Sequence, residues 1–248
     1  MSTTDETYTI NGVPIAHSIP LRGVQRTVAR RMVESRTTTA SVTAMAQVDV
    51  THLTKTLEQL RSELPGLSMT HLLIQATASC LRRHPRLNAT MVDETVHEFA
   101  EINLSIAMAL PSQDLYVATL RHADTKPLTT IMSDMQGLRE RANAGKLSLD
   151  DVRGGTFTLS NYGMLRNVVW ATPIITPGQT AVLGIARATP QLVPIQDEPG
   201  YAVRTMLPFS LTYDHRIVNG VPAGQFLDDL AETLSTDSWL VLREGASS

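Results

Sequence analysis

The sequence predicts an α/β fold, a mixed β-sheet with packed helices, and three observations predict it. Segments with apolar residues at helical spacing alternate with short β-branched runs along the whole chain. Glycine and proline mark the boundaries between them, as at Pro65-Gly66 and Gly154-Gly155. No repeat or low-complexity tract divides the 248 residues. They read as one domain over 19–242, with a short arm at 1–18 and a polar tail at 243–248.

Each element follows from its pattern. Val24, Val28 and Met32, with arginines between them, predict a first helix from about residue 20, whose Arg26, Arg30 and Arg31 read as a solvated face. Residues 41–50 alternate at period two as a strand. Thr51 is expected to cap a helix carrying Leu53, Leu57, Leu60 and Leu64, which Pro65-Gly66 stops. A further helix runs from about 68 to 84. Strands follow at 90–92, 103–109 and 115–120, then a helix over 128–144. Beyond Gly154-Gly155 lie strands at 156–159, 180–186 and 205–212, and a last helix over 223–234. Residues 191–200, punctuated by Pro190, Pro194 and Pro199, read as a surface connection.

Composition narrows the function classes. An apolar fraction of 42% with 18% charged residues is that of a soluble globular protein. A net charge of −3 offers no broad cationic field, which argues against a nucleic-acid partner. The single cysteine, Cys80, excludes an internal disulfide and reads as an inert core thiol in a reducing compartment. The polar, acidic start lacks the features of a signal peptide, and no apolar run approaches the roughly 18 residues that cross a bilayer. A cytoplasmic protein without a membrane partner is expected.

Chemistry narrows them further. No two of the seven histidines have the spacing of a helical metal pair, and one cysteine cannot complete a zinc site, so no metal is expected. Gly-x-Ser-x-Gly, Gly-x-x-x-x-Gly-Lys-Ser/Thr and Gly-x-Gly-x-x-Gly are all missing, which removes the simplest hydrolase, NTPase and dehydrogenase readings. His215 remains, between Asp214 and Arg216 where the strand over 205–213 runs out. Imidazole titrates near pH 6.5 and can accept a proton at neutral pH. Alone, such a histidine also reads as part of a structural polar cluster.

Two further segments give it company. Arg153-Gly154-Gly155-Thr156-Phe157-Thr158-Leu159-Ser160-Asn161-Tyr162-Gly163 and Pro173-Ile174-Ile175-Thr176-Pro177-Gly178-Gln179-Thr180-Ala181-Val182-Leu183-Gly184, read with Asp214-His215-Arg216 and Asn219-Gly220, resemble the catalytic domain of 2-oxo acid dehydrogenase acyltransferases, the E2 components. The likeness extends to Ile19-Pro20-Leu21-Arg22-Gly23, Pro85-Arg86-Leu87-Asn88-Ala89 and Ala144-Gly145-Lys146-Leu147, so that it covers about 19–242 in order. More distantly the chain resembles chloramphenicol acetyltransferase.

The resemblance implies a CoA-dependent acyltransferase fold assembled as homotrimers with interfacial active sites, the histidine of one subunit meeting the serine motif of its neighbour. Such trimers often assemble into cubic 24-mers, though here the polar tail replaces the apolar end that closes a cube. It implies coenzyme A as cosubstrate, His215 as general base, and Ser160 as hydrogen-bond donor to the oxyanion. Ser160 also reads as a strand-end residue bonding its own backbone. The family's CoA contacts match Arg61, Ser68, Ser160, Asn161 and Gly184, although Arg61 reads equally as a solvated helix arginine. Asn219 stands where the family carries an aspartate paired to an arginine, and Arg26, Arg30, Arg31 and Arg216 are the candidate partners. The strand at 114–120 lacks the family's proline, and an aspartate near its loop is Ala109.

No lipoyl-domain signature precedes residue 19, so no lipoyl group is expected within this chain. The expected function is therefore transfer of an acetyl or other short acyl group from CoA to a small-molecule alcohol, or to a carrier-protein-bound acceptor, in a pathway such as tetronate polyketide biosynthesis. Two alternatives stand beside it. One is the E2 core of a 2-oxo acid dehydrogenase complex with lipoyl domains on another chain, and the other a catalytically inactive structural core subunit.

Overall fold

The structure is a computed structural model that describes residues 8–109, 115–195 and 199–242. The expected polar tail at 243–248, the first seven residues of the arm, Asp114 and the side chain of Ala109 lie outside the described residues.

A mixed sheet with helices on one face is found, as the alternation of patterns predicts. The arm holds a small hairpin, β1 (Thr9–Ile10) and β2 (Val13–Pro14), turned by Asn11 and Gly12 at positive φ. Helix α1 (Gly23–Thr38) is largely exposed and, among its described side chains, buries Ser35 alone, whose hydroxyl donates to the Ile175 carbonyl at 2.6 Å. It leads into strand β3 (Ser41–Asp49). Helix α2 (Thr51–Leu60) starts where expected, but Thr51 does not cap it. The Asp49 carboxylate accepts the Thr51 N–H at 2.9 Å and takes that role. Helix α3 (Met69–Leu81) is buried on nearly every side, which explains its near-continuous apolar sequence.

A 3-10 turn (Pro85–Leu87) precedes a hairpin of β4 (Ala89–Val92) and β5 (Thr95–Glu98), whose turn holds Asp93 and Glu94 at positive φ. Then come β6 (Leu104–Ala109), β7 (Leu115–Leu120), α4 (Leu128–Asn143), the short α5 (Leu149–Val152), β8 (Phe157–Asn161), β9 (Ala181–Ile185), β10 (Thr189–Pro194), β11 (Tyr201–Asp214) and α6 (Gly220–Leu234). Strand β10 corrects the expected surface connection. It pairs with the first half of β11, and its Pro190 and Pro194 are tolerated because an edge strand need not donate on its outer side.

The sheet runs β7-β6-β8-β9-β11-β3, with β10 continuing the β9 side of β11. The β6-β8 and β8-β9 pairs are parallel and the rest antiparallel. Helix α3 lies between α4 and α6, which pack against β7 and against β3 and β11 respectively. Their apolar sides meet Phe157, Leu159, Phe209 and Leu211 in one core. The opposite face of the sheet carries hydroxyls, including Ser105, Thr158, Ser160, Ser210 and Thr212. Among the described residues no helix is long and apolar enough to cross a membrane.

Candidate active site

Strand alternation aims Ser160. Phe157 packs into the core, its ring centroid 6.1 Å from that of Phe226, so Thr158 and Ser160 turn to the hydroxyl-lined face. Thr158 is fixed there by Thr176 at 2.9 Å and by the Gln179 side-chain carbonyl at 2.6 Å. Half-buried Ser160 is next in the row, in register with Ala107 of β6 and Gly184 of β9. The preceding glycines make this approach possible. A Cβ on Gly155 would lie 1.9 Å from Ser105 Oγ.

Asn161 faces the other way. Its side-chain amide donates to Thr70 Oγ1 at 3.0 Å, in the first turn of α3, while its carbonyl accepts the Gly163 N–H at 2.9 Å. Ser68 immediately precedes that helix, and its N–H donates to His71 Nδ1 at 3.2 Å. Burial, and then the charge of Arg139, hold the His71 pKa below the usual imidazole value, which suits the neutral ring that this bond requires. Arg61 donates through Nε to the Leu67 carbonyl at 3.2 Å and is otherwise exposed. Gly184 has no free floor above it. A Cβ there would meet Tyr162 Cε1 at 3.0 Å, so its lack of a side chain admits the Tyr162 ring.

Arg61, Ser68, Ser160, Asn161 and Gly184 thus gather at one end of the sheet. His215 and Asn219 stand at the other. Asp214, the last residue of β11, is 1% exposed and accepts from the Arg216 side chain, the Arg216 N–H and the Ala40 N–H. Burial by itself would raise its pKa. These hydrogen bonds outweigh burial and hold the carboxyl below the usual range. The His215 N–H donates to the Ala40 carbonyl at 2.9 Å, so one residue, through the two peptide groups that flank its Cα, clamps the chain on both sides of the Asp214–His215 bond. The exposed His215 ring sits 5.8 Å from that of Tyr213.

Asn219 is the exposed N-cap residue of α6. Its side chain makes no cap hydrogen bond. Of the candidate arginines, Arg216 pairs with Asp214 instead.

The strand register separates the two groups. Ser160 is level with Gly184 and Ser210, whereas Asp214 N–H reaches back to Thr180. His215 is therefore about 17 Å from Ser160 along the strands and about 10 Å across them, at standard sheet spacings. No pair of rotamers closes that gap within one chain. A cleft of about 310 Å³ opens near His215 between α1, the β4–β5 hairpin and the Pro177–Gly178 turn. Its walls carry Glu34, Asp93, Glu94 and the mutually paired Asp214 and Arg216, a set whose net charge is negative and disfavours phosphates.

The sequence marks Asp214 as a neighbour of the histidine and Arg216 as that and as a candidate partner of Asn219, and it gives no sign of Ala40 or Thr70. A charged Asp at the end of the strand segment Phe209–Tyr213, beside the histidine, is the available signal for the first. Nothing in the sequence pointed to Ala40, whose contribution is entirely main-chain.

The chain matches the family described as 2-oxoacid dehydrogenases acyltransferase (catalytic domain) over residues 14–242. It is 31% identical over 232 residues to the dihydrolipoyllysine-residue acetyltransferase component of the acetoin cleaving system of Bacillus subtilis, covering 92% of this chain and 57% of that protein. It is also 31% identical to a dihydrolipoyllysine-residue succinyltransferase component of the 2-oxoglutarate dehydrogenase complex of Arabidopsis thaliana, covering 90% and 48%. The chain spans about half the length of the curated relatives it matches.

Among solved structures, a probable dihydrolipoamide acetyltransferase from Listeria monocytogenes superposes with a TM-score of 0.84 at 31% identity, covering 93% of this chain and 97% of that one. The Azotobacter vinelandii dihydrolipoamide acetyltransferase superposes at 0.83 with 27% identity, covering 90% and 92%. It was solved to investigate the role of a serine, a histidine and an asparagine in its catalytic mechanism, the last two spaced as His215 and Asn219 are. The cubic core of the pyruvate dehydrogenase multienzyme complex is similar at 0.82 and 27%, covering 90% and 92%. Chloramphenicol acetyltransferase, at 13% identity and 0.54, shares the fold.

Proposed function

Because the chain belongs to the acyltransferase catalytic-domain family of the 2-oxoacid dehydrogenases, we propose that it exchanges a short acyl group between the thiol of CoA and a dihydrolipoyl thiol. The observation that carries this reading is the placement of Ser160 and His215 at opposite ends of one sheet, each held by neighbours that fix its backbone. A functional site then needs the serine end of one copy against the histidine end of another. Rotation about a threefold axis satisfies both ends of every copy and leaves none unpaired. The cubic core among the similar structures supports further assembly of such trimers.

His215 takes the proton of the attacking thiol as its sulfur adds to the thioester carbonyl. The Ser160 hydroxyl donates to the resulting oxyanion, an interaction of roughly 3 kcal/mol when well aimed. Collapse of the tetrahedral intermediate expels the second thiolate, which recovers the proton from His215. Arg61, Ser68 and Asn161 flank the serine end as contacts for CoA, since the acidic cleft near His215 disfavours a polyanion.

The acceptor follows from what the relatives have in common. Their names specify acetyl and succinyl groups but share the dihydrolipoyllysine. The dihydrolipoyl thiol is accordingly better supported than the small-molecule hydroxyl expected from sequence. Steady-state assays with acetyl-CoA and either free dihydrolipoamide or hydroxylated metabolites test the choice. Formation of S-acetyldihydrolipoamide is expected; turnover confined to an alcohol would reverse the reading, and none with either would mark a structural subunit.

A further inference from the structure

We propose that Tyr162 is a specificity-determining residue that limits the length of the acyl group held beside Ser160. The inference rests on the acyl transfer proposed above and deepens it.

Three observations place the ring. The Tyr162 N–H donates to the Ile185 carbonyl at 2.9 Å, so the pairing of β8 with β9 continues past the end of β8 and fixes the Tyr162 backbone. The ring lies over Gly184, the register partner of Ser160, at the distance where a Gly184 Cβ would collide with Cε1 and the phenol oxygen. The phenol oxygen is 3.3 Å from Oγ of Ser210, a fully buried residue in register with Gly184 on its other side. A ring held by backbone, floor and tip is a rigid wall.

The wall stands where an acyl chain would go. With the Ser160 hydroxyl roughly 3 Å from the thioester oxygen, the acyl carbon is one bond further on and its substituent has the same face of the sheet to run along. Ala107 flanks Ser160 on the β6 side, and on the β9 side the space above Gly184 is already filled by the ring. An acetyl methyl fits beside this boundary. A longer chain meets the ring, and Ser210 prevents it from swinging freely.

The test compares acetyl-CoA, butanoyl-CoA and hexanoyl-CoA with free dihydrolipoamide as acceptor. The wild-type enzyme should prefer acetyl over hexanoyl by roughly tenfold or more in kcat/KM, and Tyr162→Ala should shift that ratio toward hexanoyl by roughly tenfold. Tyr162→Leu should shift it by less, and Tyr162→Phe, which keeps the ring but loses the contact with Ser210, by less again. An unaltered ratio in both Tyr162→Ala and Tyr162→Leu would overturn the assignment. So would a wild-type enzyme that takes hexanoyl-CoA as readily as acetyl-CoA, a result that needs no variant to fold. A wild-type enzyme that moves no acyl group to dihydrolipoamide would instead remove the reading on which the assignment rests.

Discussion

Asp214 and Arg216 form a two-point ion pair around the residue between them: Nη2 of Arg216 lies 2.6 Å from Oδ2 of Asp214, and Nε lies 3.0 Å from Oδ1. The carboxylate is buried, so it depends on this partner far more than the partly exposed guanidinium depends on it. Arg216→Ala should cost roughly 3 kcal/mol by thermal unfolding. The depressed Asp214 pKa contributes stability above the ordinary carboxylate range that is lost as pH falls through the folded value. In the variant, acid unfolding should begin at higher pH than in the wild type.

Mixed assemblies test the divided site. His215→Ala and Ser160→Ala should each be nearly inactive, the second through kcat more than KM. Co-assembled in equal amounts, they should regain roughly a quarter of wild-type activity, because each site draws one half from each of two copies. Mixtures that stay inactive after verified subunit exchange would show that the halves do not meet.

Asn219→Asp should remain folded and active. The position is an exposed N-cap, where asparagine and aspartate are nearly equivalent, and a negative charge at a helix N-terminus is favourable by up to about 1 kcal/mol. A fall in melting temperature of several degrees would reveal that a neutral amide is required.

Gly155→Ala should be strongly destabilising because its new methyl would overlap Ser105 Oγ. Adding Ser105→Ala removes the closest atom and leaves the Ser105 Cβ at 3.1 Å, so the double variant should recover part of the loss. Denaturant unfolding of the two variants and the pair measures that recovery.

Cys80 is buried, and burial pushes its thiol up to about 12. A disulfide reagent at neutral pH should label the native protein no faster than it unfolds. Rapid labelling without loss of structure would contradict the placement of α3.

The fold was legible because its helices and strands carry the patterns their burial demands: β3 alternates, and α3 carries no exposed charged face, as a central helix must not. What failed was punctuation. Pro190 and Pro194 suggested a loop, yet edge pairing tolerates them, and Asp93-Glu94 turns a hairpin without glycine. The site residues were readable as identities, since side-chain chemistry is written in the sequence. Their separation is implied by the family resemblance but not by the residues themselves, because it depends on strand register and on the direction in which β8 and β11 run. The same limit hid Ala40, which acts through a peptide group that every residue has.

The opposite placement of Ser160 and His215 also determines how defects would be inherited. With the divided site proposed above, a copy damaged at one end would still lend its sound end to a neighbour, so two differently damaged gene products would complement each other. A copy damaged at both ends spoils two neighbours' sites while adding none. Such an allele would be dominant, and more harmful than deletion of the gene.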